Sequence, residues 1–397
     1  MIYFTVITAF PDFFRDFLST SVVGRGIKNG LFEVKIVDLH FFGRGAYRQI
    51  DDYAFGSGGM VLRAQPLKDA LEAARPKGEK TFVVYPTPQG ALLTQEIVES
   101  LFHQGDVTIV CGHYEGIDER FVEEEVDLEV TVGDCVLTGG EIPAMAIIDA
   151  VSRLIPGVVG KSEAVAEDSF YRGMLDHPHY TRPASWNGQD VPEVLLSGNA
   201  AEIDRWRRDR AVARTLSRRP DLLSRSSLLG YMHGGFYLAV ECCGIEKFDA
   251  GQVREWAKLC EGYGAARLFL IAKDRENREA IEDLRDFDKV KWMPSLSRTV
   301  DWIVKKEKKK ESRVLLVKVS DDVRNGARHW LELKRFILER RGSALFYFPG
   351  GNGCEEEEAK EEKNVDCCSV SMIPLQGGKL SPFGKLSAVL DRFLGSK

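Results

Sequence analysis

Short apolar runs alternate with amphipathic segments along the first 160 residues of the chain. This alternation of strand-like and helix-like patterns predicts a parallel sheet whose strands are joined by covering helices. The predicted strands are 2–8, 32–39, 81–85, 107–111 and 128–132. The predicted helices are 11–28, 65–75, 93–103, 115–125 and 141–155. Residues 1–160 are therefore expected to form one α/β domain.

The pattern changes twice beyond this domain. Residues 157–175 lose their apolar periodicity and are predicted to be a flexible linker, which an arginine-rich helical segment follows. We expect residues 161–230 to comprise this linker and a small helical domain. From residue 236 strands and helices alternate again, which predicts a second α/β domain over residues 231–397. Its predicted strands are 236–245, 266–273, 314–320 and 344–348, and its predicted helices are 249–264, 276–286, 295–305 and 325–340.

Two charged runs interrupt the second α/β pattern. They are KKEKKKE at 305–311 and EEEEAKEEK at 355–363. Runs of like charge are too strongly hydrated to be buried, so we expect both to form solvated loops.

Composition is typical of a globular protein from a reducing compartment. Of the 397 residues, 44% are hydrophobic and 29% are charged, as in ordinary folded domains. No apolar run reaches the length of a membrane span, and the first residues lack the basic region of a signal peptide. The 8 cysteines show neither a CxxC pair nor a histidine at zinc spacing. We therefore expect a cytoplasmic protein with ordinary thiols and no membrane partner.

The net charge of −6 is an average over segments of different charge. Residues 1–160 contain 13 Lys and Arg against 23 Asp and Glu, whereas residues 201–230 contain 8 against 4. A partner responds to the local field within roughly 10 Å at moderate salt. The acidic total therefore does not exclude an anionic partner such as a nucleic acid.

Four glycine-bearing loops are predicted at the carboxyl ends of strands in the first domain. They are 51–60, 85–90, 111–120 and 132–143. Ligands of open α/β sheets bind at this edge, and glycine allows the backbone to approach a ligand closely. None of these loops has the P-loop pattern or the glycine pattern of a dinucleotide site, so neither an NTPase nor a nicotinamide enzyme is supported.

Acidic residues cluster in and beside these loops. They are Glu115, Asp118, Glu119, Asp134 and Glu141. An acidic cleft lined by backbone suits a cationic ligand, such as a sulfonium, better than a phosphate. Carboxylates also stabilise helix N-termini, and for Asp118 and Glu119 that explanation is the better one.

Four segments within residues 1–225 have a specific order and spacing. They are GHYEGIDER (112–120), VGDCVLTGGEIPAMAIIDAVSRLIPG (132–157), EDSFYRGMLDHPHYTRP (167–183) and PEVLLSGNAAEIDRWRR (192–208). These segments closely resemble the bacterial tRNA (guanine-37-N1)-methyltransferases. The resemblance implies an S-adenosylmethionine-dependent enzyme of the SPOUT class, in which three loops form a trefoil knot around the methyl donor. Carried over by motif, the predicted donor-binding residues are Pro88, Gly90, Gly112, Tyr114, Glu115, Val132, Gly133, Asp134, Cys135, Val136, Leu137, Gly139 and Gly140.

Two residues depart from the family pattern. Members commonly have an aromatic residue at the position of Cys135 and an arginine at the position of His113. Much of the donor contact in the family is with backbone, so we expect Cys135 to weaken adenine packing without abolishing donor binding. We expect His113 to be a surface residue without consequence.

The resemblance also implies how the reaction is catalysed. Methylation at guanine N1 requires loss of the N1 proton, and Asp168 matches the family's general base. Arg153 matches the arginine that holds guanine O6, where negative charge accumulates as the proton leaves. Family members are Mg²⁺-dependent. No His, Asp and Glu cluster here has metal-ligand spacing, so we expect Mg²⁺ near substrate or donor and no protein-built metal site.

The arginine-rich helical segment is expected to bind tRNA. Lys and Arg contacts to phosphates position a nucleic acid without reading its sequence. The resemblance also implies a homodimer whose active site is shared between the two subunits. The predicted tRNA-binding residues are Arg48, Asp51, Arg205 and Arg208. Loop 51–60 departs from the family, whose members have a proline before its aromatic residue. Trp206 and Tyr180 are expected to pack within the helical domain.

Residues 236–397 lie outside the resemblance but repeat part of the first domain's pattern. Strand, glycine turn, strand, GG loop and long helix recur in ALFYFPGGNG (344–353) and SMIPLQGGKLSPFGKLSAVLDRFLG (371–395). This resembles a second SPOUT-type module, similar to a domain family described as RNA methyltransferases. No counterpart of Asp168 is apparent, so we expect a domain that contacts RNA or stabilises a dimer.

The favoured hypothesis is a methyltransferase that uses S-adenosylmethionine to methylate N1 of guanine 37 in tRNA. One alternative is a catalytically disabled tRNA-binding protein, in which Cys135 and the altered loop 51–60 have removed the activity. Another is a SPOUT methyltransferase with a different RNA target.

Overall fold

A computed structural model of the chain describes residues 1–56, 58–75, 80–159, 168–170, 173–242, 250–272, 288–307, 314–320, 329–340, 342–349, 365–371 and 382–395. They belong to two compact units, Met1–Asp168 and Ser169–Lys397. The arginine-rich helical segment lies in the second unit, as does the second sheet. Domain boundaries near residues 160 and 230 stay predictions.

The described part of the first unit contains a five-stranded parallel sheet. Its strands are β1 (Ile2–Thr8), β2 (Phe32–Asp38), β5 (Phe82–Leu92), β6 (Asp106–Val110) and β7 (Leu128–Thr131), and a separate hairpin comprises β3 (Asp51–Tyr53) and β4 (Met60–Leu62). The order across the sheet is β2-β1-β6-β5-β7, and every neighbouring pair is parallel. This confirms the predicted α/β fold with a parallel sheet.

Helices cover both faces of this sheet. They are α1 (Arg15–Ser19), α2 (Ser21–Lys28), α3 (Ala64–Ala74), α4 (Gln95–Gln104), α5 (Glu119–Glu125) and α6 (Glu141–Ser152). Side chains alternate along β1, so that Phe4 joins a core with Ile147 of α6, whereas Ile7 joins a second core with Leu67 of α3. Both faces of the sheet are thereby buried, as parallel sheets require.

Two predicted helices of the first unit differ from the observed ones. The helix predicted at 11–28 is interrupted at Thr20, whose extended backbone (φ −113°, ψ 163°) separates α1 from α2. The helix predicted at 115–125 begins only at Glu119. Asp118 caps α5, and Gly116 has a φ of 125°, which is incompatible with a helix.

Strand β5 continues through the segment predicted to be the loop 85–90. It pairs with β7 at 84–86 and again at Ala91 and Leu92, with a shift of register in between. The unpaired residues 87–90 therefore form a bulge within a strand, and the expected end of the strand at Tyr85 is wrong.

The second unit begins with a mainly helical segment. Its elements are the hairpin of β8 (Ser185–Trp186) and β9 (Gln189–Asp190), then α7 (Glu193–Leu196) and α8 (Ala200–Arg218). Asn199 caps α8, because its side chain accepts a hydrogen bond from the N–H of Glu202. Of the linker predicted at 157–175, residues 160–167 and 171–172 lie outside the described residues.

A six-stranded parallel sheet follows in the described part of the second unit. Its strands are β10 (Phe236–Glu241), β11 (Arg267–Ile271), β12 (Val290–Met293), β13 (Val314–Ser320), β14 (Ser343–Phe348) and β15 (Val365–Ser371). Its helices are α9 (Ala250–Gly262), α10 (Leu296–Glu307), α11 (Trp330–Arg340) and α12 (Pro382–Leu394). Across the described residues of both units, no helix has the length and apolar character that crossing a membrane needs.

Some predictions for the second sheet are corrected and others lie outside the described residues. The charged run 305–311 begins inside α10, because Lys305 and Lys306 form its last turn, where cations are favoured by the helix dipole. The predicted helix 276–286 and the charged run 355–363 lie in undescribed segments. Strand β12 is not predicted by the sequence pattern.

The two sheets share one strand order. Without its edge strand β12, the second sheet has the order β11-β10-β14-β13-β15. Numbered along the chain, these five strands have the order second, first, fourth, third, fifth. The first sheet, β2-β1-β6-β5-β7, has the same order and the same parallel pairing.

Candidate functional site

Three segments form a pocket at the carboxyl edge of the first sheet. It has a volume of about 260 Å³ and is lined by the bulge of β5, the loop after β6 and the segment between β7 and α6. Ten of the thirteen predicted donor-binding residues line it, namely Pro88, Gly112, Tyr114, Glu115, Val132, Cys135, Val136, Leu137, Gly139 and Gly140. The other three, Gly90, Gly133 and Asp134, lie outside its lining.

Backbone contacts hold the pocket segments together. The N–H of Gly140 donates to the carbonyl of Gly112 over 2.9 Å. A Cβ at Gly140 would lie 2.8 Å from Cα of Cys111, and a Cβ at Gly90 would lie 2.3 Å from the nitrogen of Val130. Real Cβ atoms essentially never approach that closely, so these glycines are what allow the segments to meet.

Glu115 is the only carboxylate among the described residues that line the pocket. Its N–H donates to the carbonyl of Met60 over 3.0 Å, and a Cβ at Gly59 would lie 2.2 Å from its Cγ. The hairpin of β3 and β4 therefore packs against Glu115 and fixes its position. An exposed negative charge in a backbone-lined pocket favours a cationic ligand.

The other acidic residues of the predicted cluster have different surroundings. Asp118 caps α5 and binds Arg120, and the hydrogen bond from the Arg120 side chain lowers the pKa of Asp118. Glu119 lies in the first turn of α5. Asp134 is exposed and Glu141 is buried. The helix-terminus explanation for Asp118 and Glu119 is therefore confirmed.

His113 lies against the protein interior, so its expected place at the surface is wrong. Its side chain is 13% exposed, and its ring lies 4.5 Å from that of Phe10. Its Nε2 is 2.8 Å from Oε2 of Glu141, whose other oxygen accepts a hydrogen bond of 2.7 Å from the hydroxyl of Thr8. His113 thus links the loop after β6 to the first residue of α6.

Tyr114 connects the pocket to one of the predicted tRNA-binding residues. Its side chain is exposed, and its backbone has a left-handed φ of 58°. Partial burial and the neighbouring carboxylate of Asp51, to which it is hydrogen-bonded, raise the pKa of Tyr114. Asp51 therefore lies beside the pocket, whereas Arg48 is exposed on the preceding turn.

The two predicted catalytic residues bind each other. Nη2 of Arg153 is 2.6 Å from Oδ2 of Asp168, and their side chains are 44% and 48% exposed. Arg153 caps the carboxyl end of α6, whereas Glu141, beside the pocket, begins it. A helix rises about 1.5 Å per residue, so the two ends of the 12-residue α6 lie roughly 18 Å apart along its axis.

Arginines of α8 lie both at the surface and against aromatic rings. Arg205 and Arg208 are exposed, as a phosphate-binding role requires. The Arg210 guanidinium lies 5.6 Å from the centre of the Trp206 ring, which is 6.2 Å from that of Tyr180. Trp206 is partly buried, in agreement with its predicted packing within the helical domain, whereas Tyr180 is 50% exposed.

The structure brings together one histidine cluster that sequence reasoning missed. Ligand-type atoms of Asp176, His177 and His179 lie within 4.8 Å of one another, and the DHPH spacing was the available signal. The Asp176 carboxylate binds both histidines at 2.6 Å, and burial lowers the pKa of His177. Because hydrogen bonds within the cluster occupy both carboxylate oxygens, we assign no metal to it.

Residues 2–225 match a protein-family model described as tRNA (Guanine-1)-methyltransferase TrmD. Relatives named tRNA (guanine-N(1)-)-methyltransferase are similar to the same region. One from Moorella thermoacetica is 50% identical over 226 residues, which are 56% of this chain and 90% of the relative. One from Ruminiclostridium cellulolyticum is 47% identical over 224 residues, which are 56% of this chain and 96% of the relative. One from Shewanella sediminis is 49% identical over 225 residues, which are 56% of this chain and 93% of the relative.

Proposed function

The chain belongs to the tRNA (guanine-1)-methyltransferase family, and from this membership we propose that it transfers a methyl group from S-adenosylmethionine to N1 of guanine 37 in tRNA. The main support from the structure is the pocket, which collects most of the predicted donor-binding residues at one edge of the sheet. Open α/β sheets bind their ligands at that edge.

The pocket has features that suit the proposed donor. S-adenosylmethionine supplies, when bound, a methyl group on a positively charged sulfur. Glu115 offers a negative charge to such a ligand, and the glycine backbone of Gly139 and Gly140 offers polar groups at close range. Cys135 lines the pocket with a small exposed thiol, which supports the expected weaker packing against adenine.

Asp168 and Arg153 complement the reacting edge of guanine. That edge presents the N1–H donor beside the O6 acceptor, and the ion pair presents an acceptor beside a donor at 2.6 Å. We infer that Asp168 accepts the N1 proton as general base. Arg153 then donates to O6, where its fixed charge stabilises the negative charge that develops.

A second copy of the chain would complete the site. The ion pair and the pocket lie at opposite ends of α6, roughly 18 Å apart along the helix axis. We therefore propose a homodimer in which one copy provides the pocket and the other provides Asp168. The three pocket segments would form the trefoil knot of the SPOUT class, which the bond between Gly140 and Gly112 supports.

The charged residues of each unit support tRNA and Mg²⁺ as the remaining partners. Arg205 and Arg208 would bind tRNA phosphates, and Arg48 and Asp51 would contact tRNA from the hairpin side of the pocket. Mg²⁺ would be held by the substrates, because Glu115 alone offers a carboxylate among the described residues of the pocket lining.

We propose that the second sheet belongs to another SPOUT-like module. Its support is the strand order that it shares with the first sheet. This module would contact RNA or stabilise the dimer, since the sequence offers no counterpart of Asp168.

Replacing Asp168 by asparagine tests the catalytic assignment. Asp168→Asn keeps the shape of the side chain but removes the base, so we expect methylation of a tRNA transcript to fall about 10²–10⁴-fold. Calorimetry should show unchanged binding of S-adenosylhomocysteine. The exposed Asp190 gives a matched control, and Asp190→Asn should keep full activity.

Each other outcome of this experiment has a distinct meaning. Normal methylation by Asp168→Asn would contradict the role of the base. Absence of donor binding to the wild-type chain would support a disabled tRNA-binding protein, and a different methylated nucleoside would support another RNA target. At a donor concentration too low to saturate the weaker-binding Gly90→Ala chain, mixing that chain with Asp168→Asn should restore activity if two copies share the site.

A further inference from the structure

Three cationic side chains surround Trp302 in the second unit. Nζ of Lys291 lies 4.6 Å from the centre of the indole ring, Nζ of Lys306 lies 5.0 Å from it, and Cζ of Arg267 lies 5.2 Å from it. We call this set the Trp302 cluster. A cation over an aromatic face is attracted by the ring, and this contact does not neutralise the positive charge of the cation.

Regular elements bring these residues together at one edge of the second sheet. Arg267 begins β11, and Lys291 lies on the edge strand β12 directly opposite Phe269. Trp302, on α10, packs edge-on against Phe269 with 5.3 Å between the rings. Strands and a helix hold the charges more rigidly than a loop would, so the cluster is a preformed cationic surface.

No acidic side chain among the described residues forms an ion pair with the cluster. The adjacent Glu307 is already engaged, since it accepts hydrogen bonds from the hydroxyl of Tyr237 at 2.7 Å and the N–H of Gly235 at 3.2 Å. Nε of Arg267 is buried without a hydrogen-bond partner among those residues. Burial, followed by the charges of Arg267 and Lys306, lowers the pKa of Lys291. A bound anion would relieve the mutual repulsion of these three like charges.

We propose that the Trp302 cluster binds the phosphate backbone of the tRNA on which the first unit acts, an inference that rests on the proposed function. The sequence that includes Lys306 is basic as well, because KKEKKKESR at 305–313 contains six Lys and Arg against two Glu. Contacts of this kind position a nucleic acid and do not read its sequence. The second module would therefore enlarge the tRNA-binding surface of the enzyme.

An anionic membrane is a less suitable partner for this surface. Interfacial binding combines cations with exposed apolar anchors. Among the described residues, none of the exposed large hydrophobic side chains lies on β11, β12 or α10. Trp302 itself is partly buried by its contacts.

Binding of a tRNA transcript to the full-length chain tests the proposal. We expect the double variant Lys291→Ala/Lys306→Ala to bind about five- to tenfold more weakly at 0.15 M salt, with a slope of log affinity against log salt that is smaller by about two. Lys258→Ala, which removes an exposed lysine of α9, is the matched control and should bind like wild type. Lys306→Arg keeps the charge and should also retain wild-type affinity.

Kinetics separate this proposal from the proposed function. The double variant should raise KM for tRNA, while kcat at saturating tRNA and the affinity for S-adenosylhomocysteine stay unchanged. If the double variant binds tRNA as tightly as Lys258→Ala, the cluster does not bind tRNA. The proposal also fails if the double variant keeps its affinity for tRNA but loses affinity for phosphatidylserine vesicles. If wild type binds tRNA through the cluster but forms no 1-methylguanosine, the proposed function alone fails.

Discussion

At the scale of single residues, the side chains around Glu141 connect the end of β1, the loop after β6 and the start of α6. Glu141 is 3% exposed, accepts a hydrogen bond from Thr8 at the end of β1 and pairs with His113 of the loop after β6. It also begins α6, where the helix dipole favours a negative charge. A buried carboxylate is tolerated here because hydrogen bonds and the dipole replace its lost hydration.

Removing this carboxylate should destabilise the first unit. Glu141→Ala leaves the Thr8 hydroxyl and the His113 ring without their partner, so we expect the free energy of unfolding to fall by about 1–3 kcal/mol. Urea denaturation followed by circular dichroism measures it. Glu123→Ala removes an exposed glutamate of α5 and serves as control. Equal midpoints for the two variants would show that the network contributes nothing.

The sequence could predict much of the pocket but not its supporting contacts. Motifs identify Tyr114 and Glu115 because both lie in one continuous segment, 112–120, that resembles the family. The pairing of His113 with Glu141 spans 28 residues, so the burial of His113 depends on how distant segments meet. The DHPH spacing likewise does not show that the Asp176 carboxylate binds both His177 and His179.

At the scale of elements, the pocket depends on backbones that approach more closely than side chains permit. The bulge of β5 meets β7 at Gly90, where a Cβ would contact the Val130 nitrogen at 2.3 Å. Gly133 lies on the next pocket segment, and nothing lies within 4 Å of a Cβ built there. The two glycines are therefore expected to differ in importance, although the family pattern assigns both to the donor.

Alanine at these two positions tests that difference. Gly90→Ala must push the bulge away from β7, so we expect it to weaken binding of S-adenosylhomocysteine about tenfold or more, equivalent to about 1.4 kcal/mol. Gly133→Ala has open space and should bind within about threefold of wild type. Calorimetry on both full-length variants gives the comparison. The account of the bulge is wrong if Gly90→Ala binds as tightly as Gly133→Ala.

Strands with a clear apolar pattern can be predicted from the sequence, whereas strands that depend on pairing with a neighbouring strand cannot. The bounds of β1 and β13 agree with the prediction, because five of the seven residues in each strand are apolar. Strand β12 (VKWM) has four residues including Lys291, which is too short a segment for such a pattern to be recognised. The prolines of β5 suggest a loop, yet pairing with β7 resumes beyond them at Ala91.

At the scale of the whole molecule, charge is distributed unevenly along the chain. The net negative charge lies in residues 1–160, which contain 23 Asp and Glu but only 13 Lys and Arg, whereas the arginines of α8 and the Trp302 cluster lie in the second unit. The total of −6 conceals this division. Both sheets have the same strand order, whereas the residues that line the pocket belong to the first unit.

The proposed activity of the chain is methyl transfer to guanine 37 of tRNA. Its most direct test incubates the full-length chain with methyl-labelled S-adenosylmethionine and an unmodified tRNA transcript, then identifies the labelled nucleoside and its position by mass spectrometry of nuclease fragments. We expect 1-methylguanosine at position 37, and none in a transcript that has adenine there. A transcript without label, or with the label on another nucleoside or at another position, would contradict the account.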